Sequence, residues 1–255
     1  MTRLVAIVVA AASLFGPSAS AQSTETLNLR GHAQTLHIYG RRGDPPVVIS
    51  SGDGGWMHLA PHVAQVLASR GCFVVGFDVK GYLRGFTAGG AGLRPDDEPG
   101  DYKTLVDFAA RGSSRRPILI GVSEGAGLSV MAAGQADVKA AIDGVVGLGL
   151  PDVNELGWRW TDALIYLTHG VPHEPTFRTT VFIGSVAPLP LAMIHSSHDE
   201  FVPLAEARQV FAAAREPKHL WVVNAFNHRF SSNLAEFDRR LVEALAWIVD
   251  RADGC

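Results

Sequence analysis

Pro117-Ile118-Leu119-Ile120-Gly121-Val122-Ser123-Glu124-Gly125-Ala126-Gly127 is the stretch on which the reading of this chain turns. Its first six residues form a short apolar run of strand type. The small residues that follow (Ala126, Gly127, Ser129, Ala132, Ala133) suit a helix held close to a sheet. Between them, Gly121 to Gly125 fits G-x-S-x-G, which sets a serine on a tight strand-to-helix turn with its hydroxyl above the sheet. Glycines two residues either side let the backbone close where a Cβ would clash.

Working outward, strands and helices alternate. Residues 26–30 and 34–39 alternate apolar and polar side chains, as an antiparallel pair at a sheet edge does. Pro46 to Ser50 is a short apolar strand that runs into Ser51-Gly52-Asp53-Gly54-Gly55-Trp56. Leu59, Val63, Val66 and Leu67 recur at helical spacing until Gly71, and 72–77 is a further buried strand. Residues 79–100, with six glycines, are expected to be a long loop, and 102–110 a helix. Strands are expected at 141–150, 189–195 and 220–223, and helices at 203–215 and 234–248. This order implies a mostly parallel sheet with helices on both faces, in one α/β domain over 22–255. Residues 152–186, rich in aromatics and poor in strand character, are expected to form a cap-like insertion at the carboxyl ends of the strands.

A serine hydroxyl is a poor nucleophile without a base, and the base needs an orienting carboxylate. In chain order the partners should follow as acid and then histidine, each just after a strand. Asp199 and His228 meet both conditions, with Glu200 and Asp152 as competing acids. Acyl transfer also needs backbone N–H groups aimed at the developing oxyanion. These are expected from Glu124, next to the serine, and from Asp53 in the glycine-rich loop. Gly54, Trp56, Lys80 and Arg84 are the candidate substrate contacts, the two cations suiting a phosphate. Asp53 and Glu124 bring two carboxylates to the same place. Either they turn away from the oxyanion, or they meet a cationic group on the substrate.

Other classes are excluded or disfavoured. A formal charge of −3 gives no basic field for nucleic acid. No H-E-x-x-H or paired cysteines point to a metal, no nucleotide-binding glycine motif is present, and the chemistry calls for no cofactor. The remaining histidines, among them His58, His62, His195 and His198, are expected to be surface or capping residues. Arg3, an apolar run over 4–15 and Ala19-Ser20-Ala21 read as a signal peptide cleaved after Ala21, implying a periplasmic or secreted protein. The two cysteines, Cys72 and Cys255, are expected to be free.

The Ser51 to Trp56 string after a strand, Gly-Val-Ser-Glu-Gly125 and Asn-His-Arg-Phe230 resemble exported hydrolases of the VirJ/AcvB type, over roughly 46–248. The resemblance implies an α/β-hydrolase fold and a periplasmic serine hydrolase, and in some members hydrolysis of lysyl-phosphatidylglycerol, which implies peripheral membrane contact. The chain departs from that family at Val122 and Glu124, where the family carries aromatics around the serine. Residues 195–203 look instead like a generic hydrolase acid loop. The alternatives are a general carboxylesterase or lipase, and a non-catalytic periplasmic accessory protein of a virulence or secretion system.

Overall fold

A computed structural model describes residues 23–88, 92–159 and 174–252. The expected signal peptide, Cys255 and much of the expected cap lie outside these residues. Eight strands form one sheet: β1 (Ser23–Leu29), β2 (His32–Tyr39), β3 (Pro46–Ser50), β4 (Phe73–Phe77), β5 (Ile118–Val122), β6 (Gly144–Leu148), β9 (Leu191–Ser196) and β10 (Lys218–Val223). Their order across the sheet is β1-β2-β4-β3-β5-β6-β9-β10. The β1–β2 pair is antiparallel and joins the edge of β4. All later pairings are parallel. Two short strands, β7 (Val153–Glu155) and β8 (Thr176–Arg178), form a separate antiparallel ribbon.

The central strands are apolar throughout because both of their faces are covered. Side chains alternate between two cores. Val47, Ile49, Val74, Ile120, Val146 and Ile194 face one core, under α1 (Leu59–Ala68). Val48, Val75, Leu119, Val145 and Met193 face the other, under α2 (Val79–Ala88), α3 (Glu98–Ala110), α4 (Glu124–Ala133) and α5 (Ala136–Ala141). After the ribbon come α6 (Thr179–Phe182), α7 (Leu204–Ala213) and α8 (Leu234–Ala252). Helix α8 joins α1 on its face by burying Phe237, Leu241, Ala244 and Ile248. Each of the larger of these contributes about 1.5–3 kcal/mol by leaving water.

The structure corrects the expectation of a loop over 79–100. Helix α2 occupies its first ten residues, and α3 begins at Glu98. The Asp78 carboxylate accepts the Gly81 N–H at 3.2 Å, in the manner of a helix cap. Val79, Tyr82, Leu83 and Phe86 are buried, which outweighs the cost of about 1 kcal/mol for each of Gly81 and Gly85. Strand β6 is shorter than expected, because Ala136–Ala141 is helical.

The chain turns from β3 leftward to β4, then crosses to β5 and continues rightward. Adjacent strands β3 and β5, with Ser50 opposite Gly121, are therefore the point where connections diverge. Their carboxyl ends open a crevice, the usual ligand position in such sheets.

Candidate active site

Ser123 sits at that crevice with φ 51° and ψ −117°, a left-handed conformation that costs a serine of order 1–3 kcal/mol. The turn is possible only because its flanking glycines carry no side chain. A Cβ at Gly121 would lie 2.2 Å from the Ala126 Cα, and one at Gly125 would lie 2.3 Å from the Ser51 carbonyl oxygen. The Ser123 N–H donates to the Leu148 carbonyl at 2.8 Å, tying the turn to β6.

The candidate base lies on the loop after β10. His228 Nδ1 donates to Asp199 Oδ2 at 2.7 Å, and both residues are buried. A carboxylate only accepts, so Nδ1 carries a proton, and a neutral ring then has its lone pair on Nε2. Asp199 Oδ1 also accepts the N–H groups of Phe201 and Val202, at 3.0 and 2.9 Å. Burial pushes this carboxyl up. The His228 hydrogen bond and charge and the two backbone donors outweigh it and hold the carboxyl below its ordinary range.

The two competing acids are engaged elsewhere. Glu200 Oε2 accepts the His228 backbone N–H at 2.7 Å. Asp152 accepts the Arg178 Nε–H at 2.9 Å and the Thr180 N–H at 3.0 Å, on the β7–β8 ribbon. Gly149 closes the far side of the imidazole. It has φ +60°, and a Cβ there would stand 2.5 Å from His228 Cε1.

Ser123 and His228 share a cleft of about 400 Å³ with Gly52, Asp53, Gly54, Gly55, Met57 and Phe201. Glu124 has turned away from it: its Oε1 accepts the Glu155 N–H at 2.5 Å, joining the elbow to the ribbon. Burial, then the charges of Asp53 and Glu155, push the Glu124 carboxyl well up. Burial likewise pushes up Asp53, against the Gly54 N–H and the charges of His228 and Lys80.

Of the candidate substrate contacts, Gly54 lines the cleft and Trp56 does not. Trp56 is the anchor of its loop. Its ring lies where a Cβ of Gly76 would be, its Nε1–H donates to the Tyr39 hydroxyl at 3.3 Å, and it stacks on His37. Lys80 holds its ammonium 4.4 Å from the Trp158 ring centre, beside Gly55 of the glycine-rich loop. Arg84 is exposed on α2, outside the cleft.

His195 is not a surface residue. It is fully buried at the end of β9, where its Nε2–H donates to the Val202 carbonyl at 2.8 Å and lies 3.7 Å from Asp199 Oδ2. Its Nδ1 has no hydrogen-bond partner. Burial lowers its pKa, which favours the neutral ring. Its place inside the apolar run Leu189 to His195 was the available signal. Among the described residues no group of three or more His, Cys, Asp or Glu side chains is placed to hold a metal.

Residues 44–153, from the glycine-rich loop through the elbow, match the family of the bacterial virulence protein VirJ. An uncharacterized protein of Mycobacterium tuberculosis is 26% identical over 197 residues, 75% of this chain and 65% of that protein, so the chain spans less than two thirds of that curated relative. Est1E from Butyrivibrio proteoclasticus superposes with a TM-score of 0.66 at 13% identity, over 89% of this chain and 99% of that one. The Pyrococcus furiosus esterase gives 0.66 at 19%, over 89% and 91%. A membrane phospholipase A described as a bacterial virulence factor gives 0.64 at 12%, over 89% and 86%. At these identities the likeness establishes the fold: the chain has the α/β-hydrolase fold, and over residues 44–153 it is similar to the VirJ family.

Proposed function

We propose that the protein is a serine hydrolase that cleaves a carboxylic ester by acyl transfer at Ser123. The observation that carries this reading is the buried Asp199–His228 pair at 2.7 Å, whose histidine lines the same cleft as a serine on a strained elbow. Ser123 Oγ attacks the ester carbonyl while His228 Nε2 takes its proton. The tetrahedral oxyanion is held by the backbone N–H groups of Asp53 and Glu124. Collapse expels the alcohol, which takes the proton from His228. Water then attacks the acyl-enzyme by the same route and frees the acid. Asp199 keeps the imidazole in the required tautomer and stabilises its cation. Because Glu124 is turned to the Glu155 N–H and its carboxyl is pushed up, its side chain does not oppose the oxyanion.

The substrate reading is an aminoacylated phosphatidylglycerol. Its support is the VirJ match together with Asp53, a carboxylate on the cleft wall suited to a substrate amine. Met57 and Phe201, 50% and 55% exposed on the same wall, offer an apolar approach for acyl chains or a lipid surface. The export signal expected over 1–21 belongs to the same reading, on its apolar run and Ala19-Ser20-Ala21. The alternative is a general carboxylesterase. No helix of the described residues is long and apolar enough to cross a membrane.

The test is fluorophosphonate labelling of the mature protein, with hydrolysis of lysyl-phosphatidylglycerol and a neutral ester measured alongside. Ser123→Ala should lose labelling and all hydrolysis with its thermal unfolding unchanged. Labelling that persists would move the nucleophile elsewhere. Equal rates on the two substrates would leave a general esterase.

A further inference from the structure

Beside the catalytic cleft lies a second cavity of about 440 Å³, and the two share a wall made of His58, Leu59, Phe201 and Arg229. Arg229 follows the candidate base directly, is exposed, and has no carboxylate partner among the described residues. His58 stands at φ 55°, a conformation unfavourable for a side-chain-bearing residue, and its ring makes no cap bond to the helix it precedes. His62, which also lines this cavity, is held by Asp238 at 2.7 Å. Glu200 lines the second cavity, with its Oε2 engaged by the His228 N–H, and Asp53 lines the adjoining cleft.

We propose that this second cavity is an anion subsite, in which Arg229 and His58 hold a phosphate or carboxylate group of the ester whose carbonyl lies at Ser123. The inference rests on the esterase reading and adds where the substrate's negative charge sits. Guanidinium matches the two-oxygen edge of a phosphate or carboxylate, and charge-assisted bonds of that kind are about twice as strong as neutral ones. Lys80 and Arg84 are less suited. The first is engaged over Trp158 and lines neither cavity, and the second stands outside both. Position makes Arg229 selective: it borders both cavities, so an anion bound there is one pocket away from the reacting bond.

The test compares butyryl esters of glycerol and of glycerol 3-phosphate, which share an acyl group and differ by the phosphate. The protein should favour the phosphate ester through a lower KM. In Arg229→Gln the ratio of the two kcat/KM values should fall about tenfold or more, and Arg229→Lys should restore part of it. Glu200→Gln should raise the preference for the phosphate ester. Inorganic phosphate should compete with that ester, and less well in Arg229→Gln. Competition by phosphatidylglycerol vesicles but not by inorganic phosphate would assign the site to a lipid headgroup, and the reverse to a soluble phosphate ester. An unchanged ratio in Arg229→Gln would overturn the subsite. Should neither ester be cleaved, the esterase reading fails separately. Calorimetric binding of inorganic phosphate, weakened in Arg229→Gln, would then still support the subsite, and its absence would remove it.

Discussion

Two carboxylic acids, one beside the candidate base and one at the start of α3, are both buried and have opposite surroundings. Asp199 accepts three hydrogen bonds, from His228 Nδ1 and from the N–H groups of Phe201 and Val202. Glu98 is fully buried, and neither of its oxygens has a hydrogen-bond partner. Burial works against the charge of both. At Asp199 the donors prevail and the carboxyl is held down. At Glu98 burial and the neighbouring charge of Asp101 push it well up. Burial sets the cost of a charge, and donors decide whether the charge survives. Only the first acid is equipped to stabilise an imidazolium.

The largest test of this contrast is removal of the charge at Asp199. On the proposed mechanism, Asp199→Asn should lower kcat by roughly 10³- to 10⁴-fold, as loss of the orienting carboxylate does in known catalytic triads. Glu200→Gln, which touches only the His228 backbone, should cost far less. A reversal of these two in steady-state kinetics would mean that Glu200 is the working acid. The depressed Asp199 carboxyl also ties stability to pH. Its contribution is present above the unfolded value of about 4 and is lost as pH falls through the folded one.

An intermediate effect is expected at His195, whose N–H holds the Val202 carbonyl beside Asp199. His195→Leu should leave that carbonyl unpaired and loosen the acid loop. The expected cost is about 1–3 kcal/mol of stability and about tenfold in kcat. If its role is only structural, the melting temperature should fall while the acidic limb of the kcat/KM profile stays where it was. A shifted limb would show that it positions Asp199.

The smallest effect on activity belongs to Glu98. Its folded pKa is raised, so above about pH 4.5 the unfolded chain releases a proton that the folded chain keeps, and stability falls as pH rises. Glu98→Met should therefore raise the melting temperature, by about 2–4 °C for each kcal/mol gained, and more at pH 8 than at pH 5. A gain independent of pH would mean that Glu98 is ionised in the folded protein.

The elements that repeat a strong local pattern were legible in the sequence. Strands β3 to β5, the elbow and the order Ser123, Asp199, His228 all follow from apolar runs and from motif spacing. Helix α2 was not, because Gly81 and Gly85 read as breakers, while the packing of Tyr82 and Phe86 that overrides them is a tertiary event. Trp56 looked like a substrate contact for the same reason. Nothing local says that Gly76, on a strand twenty residues later, leaves the space its ring fills. His195 carries a polar label inside an apolar strand, and its burial depends on a carbonyl seven residues on.

Gly149 holds no charge, donates nothing to substrate and matches no motif, yet it delimits the room in which His228 sits. The volume of a single methyl group is what separates the present ring position from an obstructed one. Empty space is thus one of the working parts of this cleft, and it is the part that no inventory of reactive side chains would include.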